Sequence, residues 1–257
     1  MAPMRPLIGT SWKMNLTSSE ADRWFREFLP LVRLLDDRDL FVLPPFTSIW
    51  VARERLSGTP IAWGGQDVDA EDAGAHTGDV SAPMLADLGC RFVEVGHSER
   101  RRGYGETPEL IAAKAAAALR WGMRPIICVG EQRRGELAET VRLLIDDLGR
   151  CLSSVASADL GRVVIAYEPV WAIGVGSVAA PPEEVGAVHR AIGSWLAERP
   201  GGAGVPILYG GSVDVADAAR LLDEPGVGGL FVGRFALDPL NFARIANAGA
   251  VRRGATT

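Results

Sequence analysis

Three residues of this 257-residue chain have side chains suited to moving protons or holding anions, and each closely follows a short apolar run: Lys13, His97 and Glu168. A carboxylate can take a proton from carbon, an imidazole can polarise a carbonyl, and an ammonium can hold an anion beside them. Composition sharpens the choice. The basic residues are nearly all arginine, with lysine only at 13 and 114 and histidine only at 76, 97 and 189. Taken singly, each of the three has an ordinary reading: a surface lysine, a satisfied structural histidine, a solvated loop carboxylate. Their shared position at the ends of apolar runs is what points to one site.

Two glycine turns add to the set. Gly210-Gly211-Ser212 and Gly233-Arg234 also follow apolar runs. Such turns let backbone N–H groups approach an anion near a helix N-terminus, and Gly211-Ser212 leads toward a helix expected to begin near Asp214. No segment matches the nucleotide-binding pattern GxxxxGK[ST]. After Glu168, the stretch from Pro169 to Ser177 places rigid apolar residues before spaced glycines. It reads as a hinged flap able to exclude water, or else as an apolar loop covered by a partner.

The elements that must position these groups alternate along the chain. Apolar runs at Leu7–Gly9, Phe41–Leu43, Ile61–Trp63, Phe92–Val95, Pro125–Val129, Val163–Tyr167, Ile207–Tyr209 and Leu230–Val232 read as strands, several of them apolar throughout, as strands buried on both faces are. Amphipathic stretches lie between them. One runs from Ser19 to Leu35, a second opens at Thr107-Pro108-Glu109 and stops at Gly122, and a third opens at Pro181-Pro182. Eight strand–helix units in one domain spanning 1–257 predict a closed (β/α)8 barrel, with a doubly wound open sheet as the alternative. In a barrel, residues at the C-terminal strand ends share one rim, and phosphate is often held by the loops after strands 7 and 8.

Bulk properties narrow the class. The chain is 47% hydrophobic and 23% charged, with a net charge of −5 and no basic tract suited to nucleic acid. No apolar run is long enough to span a bilayer, and no signal-peptide pattern is present. Cys90, Cys128 and Cys151 form no CxxC pair, which argues against a disulfide framework or a zinc site and for a reducing, cytoplasmic setting.

The segments Trp12-Lys13-Met14-Asn15, Gly74 to Asp79, Gly96-His97-Ser98-Glu99-Arg100-Arg101, Ala166 to Gly174 and Tyr209-Gly210-Gly211-Ser212 together resemble the triosephosphate isomerase family, from about Gly9 to Gly233. The resemblance implies a TIM barrel that moves a carbonyl between adjacent carbons of a small phosphorylated sugar through an enediolate. It implies that Glu168 is the base, His97 the neutral electrophile and Lys13 the fixed cation, with Glu99 beside Lys13. It implies Gly174, Ser212, Gly233 and Arg234 as phosphate donors, no metal or organic cofactor, and a homodimer joined through the loop carrying Thr77.

The chain departs from the family pattern at the pocket. Ser11 stands where the family has Asn, Val175-Gly176-Ser177 replaces Thr-Gly-Lys, and Arg234-Phe235-Ala236 replaces Gly-Ala-Ser. The combination of the segment Gly9 to Asn15 with the segment Gly229 to Arg234 resembles the branch that isomerises L-erythrulose 1-phosphate to D-erythrulose 4-phosphate in tetritol catabolism. That substrate is the expectation, and triose phosphate is the alternative. A barrel that binds sugar phosphates without turnover is the remaining one. Ser11 and Arg234 are the expected specificity positions.

Overall fold

The computed structural model describes residues 5–32, 37–173 and 179–249. Eight parallel strands close into a barrel: β1 (Leu7–Ser11), β2 (Asp39–Leu43), β3 (Ala62–Gly65), β4 (Phe92–Val95), β5 (Arg124–Val129), β6 (Val164–Tyr167), β7 (Ile207–Tyr209) and β8 (Gly229–Val232). Each pairs with the next, and β8 returns to β1 with Leu7 opposite Gly229. This closure decides for the barrel over the open sheet. Nine α-helices lie among the described residues: α1 (Ser18–Phe28), α2 (Ile49–Leu56), α3 (Ala82–Asp87), α4 (Ser98–Tyr104), α5 (Pro108–Arg120), α6 (Leu137–Cys151), α7 (Pro182–Ala197), α8 (Ala218–Asp223) and α9 (Pro239–Ala246).

Strand side chains alternate between two cores. Leu7, Phe41, Leu43, Phe92, Ile126, Ala166, Leu208 and Phe231 fill the barrel interior, while Ile8, Val42, Val93, Ile127 and Ile165 face the helices. Phe41 anchors an aromatic floor, its ring stacked on Phe92 with centroids 4.9 Å apart and tilted against Phe231 at 5.6 Å. The two-residue period then fixes the layer above. Counting from the interior residues, Ser11, Glu94, Cys128, Glu168 and Gly210 all turn into the mouth of the barrel, directly over the aromatic floor.

Helix ends follow local chemistry. Thr17 and Glu20 form a capping box at the start of α1. The expected extension of that helix to Leu35 does not occur: α1 ends at Phe28, because Pro30 lacks the N–H that would continue the ladder. Thr107 caps α5 as expected, and Gly122, with φ of 80°, turns the chain at its end. The helix expected near Asp214 begins instead at Ala218, since the Asp214 carboxylate accepts from the Asp217 N–H at 2.9 Å and holds a turn there.

The second lysine is structural. Lys114 Nζ lies 2.8 Å from Asp67 and 2.5 Å from Glu106, with Arg100 joining the same buried cluster. His189 is buried in α7, edge-on to Tyr167 at 5.8 Å. His76 is exposed and paired with Asp69 at 3.0 Å. No helix among the described residues is long and apolar enough to cross a membrane.

Candidate active site

Lys13, His97 and Glu168 meet at the C-terminal mouth of the barrel, around a cavity of about 310 Å³. Ser11, Glu94, Glu99, Gly210, Ser212, Gly233 and Arg234 also line it. Each side chain is set by its strand exit.

Lys13 follows β1 with φ of 55°, a left-handed conformation that costs a non-glycine residue about 1–3 kcal/mol. Its neighbours hold it there. Gln66 donates to the carbonyl oxygens of both Lys13 and Leu43 at 3.0 Å, and Asn15 donates to that of Trp12 at 2.7 Å. The ammonium then reaches Glu99 Oε1 at 2.9 Å. Burial acts to raise the Glu99 carboxyl, but the hydrogen bond and charge of Lys13 bring it below its ordinary value.

His97 caps α4 with its own ring: Nδ1 accepts from the Glu99 N–H at 3.1 Å. With Nδ1 an acceptor, the proton of the neutral ring sits on Nε2, which faces the pocket 3.3 Å from Glu168 Oε2. Burial and the nearby Lys13 charge lower the imidazole from 6.5 to about 4, so it is neutral at physiological pH. Placement at a helix N-terminus acts in the same direction.

Glu168 follows β6 and is buried, its backbone N–H held by Val129 O at 2.8 Å. Burial and the adjacent Glu94 push its carboxyl well above the ordinary range. Gly210 makes room for it, since a Cβ there would fall 2.7 Å from Glu168 Cγ. Beyond it, Val170–Ala172 forms a single 3-10 turn pinned by Glu131, which accepts from Trp171 Nε1 at 2.6 Å and from the Tyr167 hydroxyl at 3.2 Å. The flap itself falls partly outside the described residues, Gly174 included.

The remaining expected site residues differ in what surrounds them. The Ser11 hydroxyl points into the barrel and donates to Glu94 Oε2 at 2.6 Å. The Ser212 N–H donates to Ala172 O at 3.2 Å, so an anion would have to compete for it. Gly233 opens the 3-10 turn Arg234–Leu237, whose Arg234 is exposed at the pocket mouth. Thr77 is exposed on the loop between β3 and α3.

Three residues here escape a reading of motifs: Gln66, Glu131 and Glu94. Only Glu94 carried a signal. It is a carboxyl at an inward position of an otherwise apolar strand, two residues after Phe92.

Similarity to known proteins covers nearly the whole chain. The triosephosphate isomerase family model matches residues 6–249. A triosephosphate isomerase of Thermus thermophilus is 47% identical over 242 residues, covering 93% of this chain and 96% of the relative. One from Synechococcus sp. (strain JA-2-3B'a(2-13)) is 43% identical over 251 residues, covering 95% and 97%. The crystal structure of triosephosphate isomerase from Bartonella henselae superposes with a TM-score of 0.82 at 35% identity, covering 95% of this chain and 98% of that one.

Proposed function

Because the chain belongs to the triosephosphate isomerase family, and so is a sugar-phosphate isomerase, we propose that it interconverts glyceraldehyde 3-phosphate and dihydroxyacetone phosphate. The observation that carries this is the approach of His97 Nε2 to Glu168 Oε2 at 3.3 Å inside a pocket that also holds Lys13. An acid–base pair for adjacent carbon and oxygen atoms needs that closeness.

In the proposed reaction Glu168 takes the proton from the carbon next to the carbonyl. The carbonyl oxygen gains charge and is met by the Nε2–H of neutral His97 and by the Lys13 ammonium. His97 moves the proton between the two oxygens, and Glu168 returns its proton to the neighbouring carbon. The raised basicity of Glu168 suits abstraction from a weak carbon acid. Glu99 holds Lys13 in place, while Gly233 and Arg234 lie where the phosphate would sit. Glu168→Gln should lower kcat by several orders of magnitude with little change in ligand affinity. Activity within tenfold of the parent would overturn the assignment.

A second reading keeps the chemistry and changes the sugar. The similarity to curated triosephosphate isomerases weighs against the expected L-erythrulose 1-phosphate. What favours that substrate is Ser11, smaller than Asn and turned onto Glu94, together with Arg234 at the mouth. Comparing kcat/KM on L-erythrulose 1-phosphate and glyceraldehyde 3-phosphate decides between them. A preference for the tetrulose would sink the triose reading.

We also infer a homodimer. Supporting it are the exposed Thr77 loop and Met14, an apolar residue 98% exposed beside Lys13.

A further inference from the structure

Glu94 is a carboxyl with no part in the reaction described above, placed where a carboxyl is costly. It is 2% exposed, it stands on β4 among interior apolar side chains, and it lines the floor of the pocket. Oε2 accepts from Ser11, 2.6 Å away on β1. Oε1 accepts from the Cys128 thiol of β5 at 3.8 Å. Carboxylate oxygens of Glu94 and Glu168 and the Cys128 sulfur all lie within 4.8 Å of one another.

We propose that Glu94 is a positioning residue acting through two neighbours: it fixes the direction of the Ser11 hydroxyl and stands behind Glu168 as a second carboxyl holding one proton between them. The inference rests on Glu168 being the base.

The charges around the pair support a single shared proton. Facing Glu94 are Lys13 after β1, Asp67 after β3, His97 and Glu99 after β4, Cys128 on β5 and Glu168 after β6. Lys13, the nearby cation of this set, is already paired with Glu99 at 2.9 Å, and His97 is neutral. Asp67 is engaged by Lys114 and Arg100. Two ionised carboxylates this close in a buried pocket repel strongly, so one proton stays with the pair. Burial accordingly raises Glu94 to about 7 even with the Ser11 hydrogen bond opposing it. The arrangement keeps Glu168 basic, as a base working on a carbon acid near neutral pH must be.

Glu94→Gln retains an oxygen to accept from Ser11 and removes the ionisable group. It should move the acid limb of kcat/KM on glyceraldehyde 3-phosphate down by about one pH unit and lower the high-pH kcat severalfold, because Glu168 becomes a weaker base. Glu94→Ile removes the acceptor as well. It should raise KM about tenfold, as should Ser11→Ala, and the two together should raise it no further than either alone. An acid limb superimposable on the parent, or additive effects of Glu94→Ile and Ser11→Ala on KM, would overturn the proposal. A readout independent of turnover and of variant folding is carboxyl ¹³C NMR of the parent labelled at glutamate. At pH 6 one carboxyl of the pair should remain protonated, and full ionisation of both at that pH would refute the shared proton. If the parent failed to turn over the triose, the substrate reading would fall, while this titration would still decide the pair.

Discussion

Gly210→Ala tests whether the position of Glu168, and not merely its presence, sets the rate. The added Cβ would lie 2.7 Å from Glu168 Cγ and 2.9 Å from Oε1, where ordinary contact begins at 3.4 Å. One of the two must therefore move by about 0.7 Å. Gly210 has little freedom, because its N–H is bonded to Tyr167 O at 2.9 Å. Glu168 cannot retreat inward, since Glu94 and Cys128 occupy the barrel mouth behind it. The carboxylate is left to swing out of the pocket, away from the carbon it is proposed to deprotonate. A misplacement near 1 Å lowers rates by roughly 10²-fold, while the overpacking should cost only about 1–3 kcal/mol of stability. Steady-state isomerisation should show the loss in kcat. Affinity for sn-glycerol 3-phosphate, which carries the phosphate but no carbonyl, should change little. A folded Gly210→Ala protein with kcat within threefold of the parent would refute the steric argument. So would a loss of glycerol 3-phosphate affinity as large as the loss in kcat.

Other expectations follow from the same geometry. Burial lowers His189 to about 4 against 6.5 in the unfolded chain, so the unfolded state binds the extra proton between those values and stability falls as pH drops through that window. His189→Gln should therefore lose about 2 kcal/mol less than the parent between pH 7 and pH 4.5 in denaturant titrations, and equal losses would count against a neutral buried imidazole. Trp171→Phe removes the 2.6 Å hydrogen bond to Glu131 at the base of the flap; kcat should fall several-fold with a rise in KM, and unchanged kinetics would show that the anchor is dispensable. Lys13→Ala should abolish measurable binding of sn-glycerol 3-phosphate by calorimetry, whereas undiminished affinity would contradict its role as the anion's cation. Thr77→Arg should shift the protein to monomers in sedimentation velocity if the loop joins two subunits, and an unshifted dimer would move the interface elsewhere.

The barrel was legible because eight apolar runs alternate with amphipathic stretches, and a parallel strand buried on both faces leaves that mark locally. Lys13, His97 and Glu168 were legible for a related reason: strand exits in such a fold gather on one rim, so chain position alone brought them together. The end of α1 at Phe28 was also in the sequence, in Pro30, although helical periodicity ran past it. Loop residues 174–178 fall outside the described structure, so the flap stays a reading of sequence.

What the sequence did not disclose is who faces whom across the barrel mouth. Ser11 and Glu94 are 83 residues apart and lie on strands separated by two others, so no local pattern links them. Two-residue parity turns each inward, but only closure of the sheet, with its fixed stagger between strands, sets them at the same height. The same closure places Glu94 behind Glu168 and Gly210 beside it, and gathers the charges that keep His97 neutral and Glu168 basic. The identities of Lys13, His97 and Glu168 are local facts of the chain. Their protonation states are not, because burial and neighbouring charge exist only once the barrel has closed.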